Sequence, residues 1–354
     1  MRYNTLVKSQ IYFIKTFGCQ MNEADSQRLA AALTGQGHRL TSQIDQATVV
    51  VINTCSVREA AENRVFGLVE KLAKLSAKSY QPKVILTGCM VGSARGKRRR
   101  YTLTQLKNRL PQVKEFKTIS ELVGDHPLPV TRPCPAEVLV PIMEGCNHFC
   151  TYCVVPYARG AEVSRPLDAL VTEVEALVKQ GAKAVTLLGQ NVNSYQPDFA
   201  ALLRRLQTIN RLQKIAFLTS NPWDLTDEII AAMRGPKVDR QLHLPVQSGD
   251  DVILKKMNRP YTAAAYRQLV AKIRRAIPEI RLSTDIIVGF PGETRAQFAR
   301  TVALCRQVGF NQAYIARYSP RPGTAAFRLA DDVTPAEKKR RWQVLEALIN
   351  RGKI

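Results

Sequence analysis

The chain has 354 residues, with 52 lysines and arginines against 29 aspartates and glutamates, which gives a formal net charge of +23. Its content of 45% hydrophobic and 23% charged residues is that of a folded globular protein and excludes a disordered or collagen-like chain. No apolar run approaches the roughly 18 residues that a membrane span needs, and no signal peptide is apparent, so we expect a cytoplasmic protein with no membrane partner. The positive charge favours a nucleic-acid partner, because Lys and Arg displace counterions from phosphates; a merely basic protein is the alternative.

The first third of the chain alternates β-prone runs with amphipathic stretches, which predicts a parallel sheet with right-handed crossovers. Strands are predicted at 11–17, 48–52 and 84–87, with helices at 23–35 and 57–77. Cys19, Cys55 and Cys89 each follow one of these strands. Since the carboxyl ends of parallel strands lie at one edge of a sheet, where ligands bind, we expect the three thiols to meet there.

A proline-rich linker is predicted at 124–135, and the alternation resumes beyond it. The later strands are predicted at 138–142, 184–188, 215–219, 241–246, 282–288 and 312–317, with helices at 168–180, 226–233, 262–276 and 294–308. Six βα units are too few for the closed eight-unit barrel, which needs about 250 residues, so we predict an open, partial barrel. The α/β chain is therefore divided into an N-terminal domain at 1–123, the linker, a barrel at 136–333 and a basic helix at 334–354.

Eight cysteines in such a chain indicate metal or redox chemistry rather than disulfides. Cys146, Cys150 and Cys153 are spaced C-x3-C-x2-C directly after the first predicted strand of the barrel. Three thiolates on one loop can bind three irons of a [4Fe-4S] cluster and leave the fourth iron open to a small molecule. A zinc site formed by these thiols with His148 is the alternative, although the spacing lacks the paired C-x2-C halves of zinc folds.

This cysteine spacing at the start of a six-unit partial barrel resembles that of the radical S-adenosylmethionine enzymes. The resemblance implies that S-adenosylmethionine chelates the open iron, and that one electron cleaves it to methionine and a 5′-deoxyadenosyl radical. The three cysteines then carry the catalytic centre. Tyr152 matches the aromatic position that lies near the adenine in that family; a core aromatic is the alternative interpretation.

Further cofactor-binding candidates lie near predicted strand ends that face the same mouth of the barrel. They are Gln247, Ser248 and Asp285, together with Gly289 in the glycine-rich turn at 289–292. Polar side chains at these positions could bind the polar groups of the cofactor. The glycine, which has no side chain, could let the protein backbone come close to the cofactor. A plain turn is the alternative for Gly289.

Eight motifs in order narrow the resemblance to the methylthiotransferases. Three are similar to the family's N-terminal domain: TFGCQMNEADS at 16–26, NTCSVREAAENR at 53–64 and LTGCM at 86–90. Five are similar to its radical domain: MEGCNHFCTYCVVPYARG at 143–160, LLGQNVNSY at 187–195, HLPVQSG at 243–249, DIIVGFPGET at 285–294 and YSPRPGT at 318–324. The resemblance implies two [4Fe-4S] clusters, one held by Cys19, Cys55 and Cys89, and the radical cluster held by Cys146, Cys150 and Cys153. Cys134 and Cys305 match neither set and are interpreted as structural.

Within that family, GCQMN at 18–22 and GQNVNSY at 189–195 resemble the enzymes that add a methylthio group to C2 of N6-isopentenyladenosine 37 in tRNA. The resemblance implies an anticodon stem-loop as substrate, a second S-adenosylmethionine as methyl source, a low-potential electron donor such as flavodoxin or ferredoxin, and a sulfur donor. We expect a monomer. The alternatives are N6-threonylcarbamoyladenosine or a ribosomal protein as substrate, or a non-catalytic iron–sulfur protein that binds RNA.

One departure from the family concerns how tRNA is held. The family normally continues past the last helix into a TRAM-type β-barrel that binds RNA, and we expect this barrel to be absent here. Either the sequence is truncated, or this member holds tRNA in a different way. The basic segment 95–117, where nine basic residues accompany only Glu115, is the predicted substitute. Arg159 and Arg165, which follow the cysteine loop, are further candidates for contact with RNA phosphates; a salt bridge is the alternative for both.

Overall fold

The computed structural model describes residues 9–56, 59–76, 80–96, 101–124 and 135–352, the side chains of 59, 60 and 76 excepted. It divides into two compact units. The first comprises Met1–Arg132 with Tyr157–Gly160, and the second comprises Pro133–Pro156 with Ala161–Ile354. Most of the predicted linker at 124–135 lies outside the described residues.

The first unit is built on a five-stranded parallel sheet in the order β2-β1-β3-β4-β5. Its strands are β1 (Ile11–Thr16), β2 (Arg39–Leu40), β3 (Val49–Thr54), β4 (Lys83–Gly88) and β5 (Val113–Phe116). Its helices are α1 (Gln20–Gly35), α2 (Glu59–Ser76), α3 (Cys89–Arg95), α4 (Leu103–Arg109) and α5 (Ile119–Val123). The predicted parallel sheet is confirmed, and β2 and β5 extend it at its two edges.

Helices cover both faces of this sheet, as the sequence of its central strand requires. Every residue of β3 is buried, which is typical of a parallel strand packed on both sides. Val50 and Ile52 belong to one apolar cluster, which includes Val65 of α2. Val49 and Val51 belong to the other, which includes Leu29 of α1. The alternation of side chains along β3 therefore fixes a three-layer arrangement whose carboxyl edge stays open for function.

The second unit contains six parallel strands in two three-stranded sheets, β10-β9-β6 and β11-β12-β13. The strands of this unit are β6 (Glu137–Pro141), β7 (Met143–Glu144), β8 (Val163–Ser164), β9 (Ala184–Leu188), β10 (Lys214–Phe217), β11 (Gln241–His243), β12 (Arg281–Val288) and β13 (Gln312–Arg317). Helix α6 (Val155–Arg159) is divided, because Tyr157–Gly160 belong to the first unit. The other helices of the second unit are α7 (Leu167–Lys179), α8 (Phe199–Gln207), α9 (Asp227–Met233), α10 (Asp251–Lys256), α11 (Ala263–Ala276), α12 (Arg295–Val308) and α13 (Pro335–Leu345), the last continued by a π-helical segment, Glu346–Arg351.

The two sheets together form an open barrel. A parallel bridge between Ile215 and Val238 continues the first sheet towards β11. The outer strands β6 and β13 do not pair with each other anywhere in the described part of the chain, so the barrel is not closed. The predicted partial barrel is thereby confirmed. No described helix is both long enough and apolar enough to cross a membrane.

The C-terminal helix α13 packs more deeply than its basic sequence suggests. Thr334 caps it by accepting a hydrogen bond from the Glu337 backbone. The Arg341 side chain is 3% exposed and forms an ion pair of 2.7 Å with Glu293, which is 1% exposed. Lys338 is buried beside Asp331, with Nζ 2.7 Å from Oδ2. Two of its cations therefore anchor α13 and are not part of a solvated basic face.

Candidate functional site

Three cysteines lie at the carboxyl ends of the adjacent strands β1, β3 and β4. Cys19 is the N-cap residue of α1, just after β1. Cys55 directly follows β3, and Cys89 is the first residue of α3, directly after β4. The structure thus places these three cysteines, here called the N-terminal triad, at the single sheet edge where parallel strands direct their loops.

A buried amide network holds the edge on which the N-terminal triad lies. Asn22 Nδ2 donates to Asn53 Oδ1 and to the Thr54 carbonyl, both at 3.1 Å, and Asn53 Nδ2 donates to the Asn22 carbonyl at 2.8 Å. The backbone N–H of Cys19 donates to Asn22 Oδ1 at 3.3 Å. Gly88 has φ of 85°, and a Cβ there would lie 2.3 Å from Asn53 Oδ1. A glycine is therefore required immediately before Cys89.

The three thiols of this triad interact electrostatically, and an arginine lies beside one of them. The pKa of Cys89 is raised to about 11. Burial is the main cause, Cys55 and Cys19 also raise this pKa, and Arg159 lowers it. Arg159 Nε donates to the Cys89 sulfur at 3.1 Å. Arg159 also forms an ion pair of 2.9 Å with Asp25, and these two side chains are 6% and 2% exposed. The triad therefore combines two buried thiols, Cys55 and Cys89, with an exposed one, Cys19, and has a buried cation beside Cys89.

This geometry corrects the prediction that Arg159 contacts RNA phosphates. Its guanidinium is buried against Asp25 and Cys89, where a phosphate from solvent has no access. Arg165 is 37% exposed at its side chain, but its Nη2 pairs with Glu173 and its Nη1 donates to the Pro141 carbonyl at 2.7 Å. Salt bridges, the alternative interpretation, therefore describe both arginines.

The second triad, Cys146, Cys150 and Cys153, lies on the loop between β7 and β8, here called the cysteine loop. The antiparallel pairing of β7 with β8 closes the base of this loop. At its start, the Gly145 backbone N–H donates to Gln190 Oε1 at 2.6 Å, and Gly145 takes a φ of 84°. The loop is thus held at the carboxyl end of the barrel strands, where barrel enzymes bind their ligands.

Cys146 and Cys150 are buried, Cys153 is partly buried, and the three thiols are close enough to affect one another. Burial, with a smaller contribution from Cys150, raises the pKa of Cys146 to about 11 and that of Cys153 to about 12. Arg259 Nη1 lies 3.5 Å from the Cys150 sulfur, and its guanidinium lies 4.6 Å from the Trp223 ring centroid. Each triad therefore has one buried arginine beside one sulfur.

The structure does not support the mononuclear zinc alternative. His148 Nε2 lies 3.0 Å from Asp224 Oδ2, and its ring meets the edge of Trp223 at 4.9 Å. Across the described ranges, no three His, Cys, Asp or Glu side chains converge on a single metal ion. A [4Fe-4S] cluster binds each thiolate through a different iron, so its thiols need not converge on one point. Two sets of three thiols, each with a cationic neighbour, fit that group.

Gln247 has two features of a binding residue. Its φ of 65° is in the left-handed region, which is uncommon outside glycine. Its backbone continues the sheet, because its N–H donates to the Asp285 carbonyl at 2.8 Å. Its side-chain Oε1 is buried and has no hydrogen-bond partner within the described residues. Strain and an unused buried acceptor at the carboxyl end of a barrel strand together indicate a ligand.

Two other cofactor candidates are occupied by the protein itself. Ser248 Oγ lies 3.4 Å from Thr301 Oγ1 and is fully buried. Gly289 donates its N–H to Glu293 Oε2 at 2.6 Å, and a Cβ there would lie 2.4 Å from Lys338 Cγ. The side chain next to this glycine is a lysine of α13, and a contact between Gly289 and the cofactor stays a prediction.

The remaining two cofactor candidates, Asp285 and Tyr152, contact other protein side chains but are not fully enclosed by them. The Asp285 carboxylate lies 3.2 Å from His243 Nε2, so it belongs to a polar pair on the inner side of β11 and β12. Tyr152 is half-buried and packs against the cluster that contains Met257 and Phe290. A core aromatic therefore describes Tyr152, and its role near an adenine stays a prediction.

Sequence reasoning missed three residues of this site. Thr219, just after β10, has φ of 58°, which is rare for a β-branched residue, and its Oγ1 donates to the Gly189 carbonyl at 2.9 Å. Asn191 donates to Asp224 at 2.7 Å while its own Oδ1 is buried with no partner in the described chain. Arg259 lies at Cys150. Of the three, only Asn191 had a signal in the sequence, since it lies within the motif at 187–195. The backbone strain at Thr219 and the contact of Arg259 with a distant sulfur leave no pattern in the sequence.

Other predicted positions lie apart from the two triads or outside the described residues. Cys305 is buried on α12, where burial raises its pKa to about 12, in agreement with a structural role. Cys134 and the basic run 97–100 lie outside the described residues.

Comparison with known proteins assigns the class. Residues 140–305 match the radical SAM superfamily, and residues 11–105 match the uncharacterized protein family UPF0004. The fold is similar to that of the radical S-adenosylmethionine methyltransferase TsrM from Kitasatospora setae, with a TM-score of 0.65 and 14% identity, over 90% of this chain and 77% of that one. It is also similar to the cobalamin-dependent radical enzyme OxsB, with a TM-score of 0.59 and 10% identity, over 98% and 56% of the two chains. Fold and site together define a radical S-adenosylmethionine enzyme.

Curated relatives assign the family. A protein of Clostridium perfringens strain 13 is 41% identical over 97% of this chain and 82% of its own length. A protein of Dehalococcoides mccartyi strain CBDB1 is 43% identical over 95% of this chain and 82% of its own. Both carry the name tRNA-2-methylthio-N(6)-dimethylallyladenosine synthase. The chain belongs to this family of radical S-adenosylmethionine methylthiotransferases.

Proposed function

We propose that this chain is a tRNA methylthiotransferase that converts N6-isopentenyladenosine at position 37 to its 2-methylthio derivative. The observation that carries the proposal is an identity of 41–43% with named synthases over at least 95% of the chain. The two thiol triads support it, because the relatives' chemistry requires cofactors that thiolates hold. The net charge of +23 agrees with tRNA as the substrate.

The reaction needs more than side-chain acid–base catalysis. The C2–H bond of an adenine ring is not acidic enough for a carboxylate or imidazole to remove its proton. Two [4Fe-4S] clusters, when bound, supply one-electron reduction of S-adenosylmethionine and an iron that carries the sulfur to be transferred. The protein's task is to hold these groups, orient the reactants and exclude water.

The residues of the chain divide this task between two sites. The thiols of the cysteine loop would hold the radical cluster, with Arg259 beside Cys150 as a buried cation. Gln247 Oε1 offers an acceptor for a donor group of S-adenosylmethionine. The N-terminal triad would hold the second cluster, and in both sites three cysteines rather than four leave one iron available to a small ligand. Four of the six thiols are buried, whereas Cys19 is exposed and Cys153 is partly buried.

The first prediction concerns iron content. After anaerobic reconstitution we expect about eight irons per chain, and about four in either Cys19/Cys55/Cys89→Ala or Cys146/Cys150/Cys153→Ala, because each triad holds one cluster. Iron and sulfide analysis measures this. Cys305→Ala is the matched control, since it removes a buried thiol that belongs to neither triad. Zinc in place of iron, or loss of all iron from either triple variant, would reject two separate clusters.

The second prediction concerns the substrate. In a bacterial strain that lacks its own synthase, expression of the chain should restore 2-methylthio-N6-isopentenyladenosine, and Cys150→Ala should not. Mass spectrometry of digested tRNA nucleosides and of ribosomal peptides measures all three possible products. Methylthiolation of threonylcarbamoyladenosine, of a ribosomal protein, or of nothing at all would each replace the proposed function with the corresponding alternative.

The remaining partners follow from this chemistry. Flavodoxin or ferredoxin would supply low-potential electrons, and a separate sulfur donor would renew the transferred sulfur. Because tRNA is the substrate, the proposal places the enzyme in the cytoplasm. Each site is formed within one chain, which agrees with the expected monomer; size-exclusion chromatography with light scattering tests it.

A further inference from the structure

An arginine lies beside the N-terminal triad, although the motif that includes it, at 143–160, carries the cysteines of the other triad. Arg159 follows Cys153 by six residues in the sequence, yet it belongs to the first unit together with Cys89 and Asp25. Its Nε donates to the Cys89 sulfur at 3.1 Å, and its Nη1 lies 2.9 Å from Asp25 Oδ2. The side chain is 6% exposed. A charged side chain is rarely buried this deeply unless it is paired with an opposite charge and hydrogen-bonded.

Asp25 fixes the orientation of this arginine. It lies on α1, the helix that Cys19 caps, and its side chain is 2% exposed. The planar guanidinium donates from Nη1 to the carboxylate and directs its Nε–H at the sulfur, which a flexible ammonium would not do as reproducibly. The pair therefore brings a directed N–H donor to Cys89 at no net charge.

The other triad provides a comparison. Arg259 Nη1 lies 3.5 Å from the Cys150 sulfur, and its remaining contacts are to Asn221, Tyr261, Trp223 and the Pro245 carbonyl. No carboxylate in the described chain pairs with Arg259. The two triads thus differ in charge: one has a neutralised arginine and the other a full positive charge.

From this geometry we infer that Arg159, oriented by Asp25, is a positioning residue of the N-terminal cluster and sets its reduction potential through the hydrogen bond to Cys89. The inference rests on the proposed function, since it takes Cys89 as a cluster ligand. Reduction potentials of such clusters depend on net charge and on hydrogen bonds to the sulfurs. Removing the cation should lower the potential, and removing the carboxylate should raise it, because reduction adds a negative charge.

The experiment uses the full chain with Cys146/Cys150/Cys153→Ala, which leaves only the N-terminal cluster. Anaerobic redox titration followed by electron paramagnetic resonance gives its potential. We expect Arg159→Gln to lower the potential, Asp25→Asn to raise it, and the double variant to lie below the parent, since it keeps the net charge but loses the hydrogen bond. Arg159→Lys should restore part of the loss. Arg165→Gln, which removes an ion-paired arginine without a sulfur contact, is the matched control.

The outcomes separate this inference from the proposed function. A parent protein that binds no iron would reject the ligand set itself. A parent that binds a cluster whose potential is the same in Arg159→Gln, Asp25→Asn and Arg165→Gln would overturn the role of Arg159. If Arg159→Gln leaves Asp25 uncompensated and prevents folding, the charge-balanced double variant and Arg159→Lys decide the question, and an unchanged potential in both overturns the inference.

Discussion

Gln247 shows how a single residue can combine strain with an unused polar atom. A left-handed backbone at a non-glycine residue costs about 1–3 kcal/mol, and such strain persists where the surroundings impose it. Its buried Oε1 has no partner among the described residues, which adds a desolvation cost. Both costs are recovered if a ligand donates to that oxygen, so Gln247 remains the best supported of the predicted cofactor residues.

A glycine at this position separates stability from binding. We expect Gln247→Gly to unfold at the same or a higher temperature, because the strain is relieved, and to bind S-adenosylmethionine roughly 5- to 150-fold more weakly, because a hydrogen bond of about 1–3 kcal/mol is lost. Thermal unfolding and equilibrium dialysis with the reconstituted enzyme measure the two effects. Arg211→Gly is the control, since Arg211 has φ of 66° on an exposed loop before β10. Equal affinities in the two variants would exclude a contact between Gln247 and the cofactor.

At the scale of elements, every described strand of five or more residues was predicted from the sequence, whereas four of the shorter strands were not. The strand at 184–188 and the strand at 312–317 coincide with β9 and β13. The sequence analysis did not detect β2, β5, β7 or β8, which have two to four residues each. Too few residues occur in such strands to show a period of two, and their pairing partners are remote in sequence.

The attachment of α13 to the loop after β12 also depends on remote partners. Glu293 accepts from the Gly289 backbone and from Arg341, both within 2.7 Å. Burial raises the pKa of Glu293, while Gly289 and Arg341 lower it. The helix thus packs against the glycine-rich turn, with Lys338 next to Gly289.

Breaking this buried ion pair should be costly. We expect Arg341→Met to lower the free energy of unfolding by about 3–5 kcal/mol, because it leaves the Glu293 carboxylate buried without its cation. The double variant Glu293→Gln/Arg341→Met should recover most of that loss. Denaturant unfolding measures both. Arg340→Met on the same helix is the control, since Arg340 is half-exposed and its pair with Glu337 is worth at most about 1 kcal/mol. A loss in Arg341→Met no larger than in this control would contradict the anchoring role.

At the scale of the whole molecule, the net charge of +23 is the property that bears most directly on tRNA binding. Charge of this size steers tRNA towards the protein and makes affinity depend on salt. The densest basic run, at 97–100, lies outside the described residues, so its role in tRNA binding stays a prediction from sequence.

Replacing Arg98, Arg99 and Arg100 with Ala should weaken tRNA binding without affecting reductive cleavage of S-adenosylmethionine. If all three contact phosphates, the slope of log affinity against log salt should become shallower by about 2–3. Fluorescence anisotropy with labelled tRNA across salt concentrations gives the slope. The control is Arg275/Arg281/Arg306→Ala, an equal change in charge at exposed positions away from the strand carboxyl ends. Equal slopes in the two triple variants would reject the role of the basic run.

The sequence by itself determined the family, the alternation of strands and helices, and which six cysteines follow strands or lie on one loop. These properties depend on spacing along the chain, and spacing is written directly in the order of residues. Strand ends were sufficient to predict that Cys19, Cys55 and Cys89 share an edge, because parallel topology leaves few alternatives.

Only the tertiary structure decided which charged side chains accompany the thiols. Arg159 looked like a surface arginine and is instead buried with Asp25 and Cys89, 134 and 70 positions away. Arg259 lies at Cys150, across 109 positions. Burial and partner choice depend on which distant segments pack together, so no local pattern records them, and the electrostatics of both sites arise only on folding.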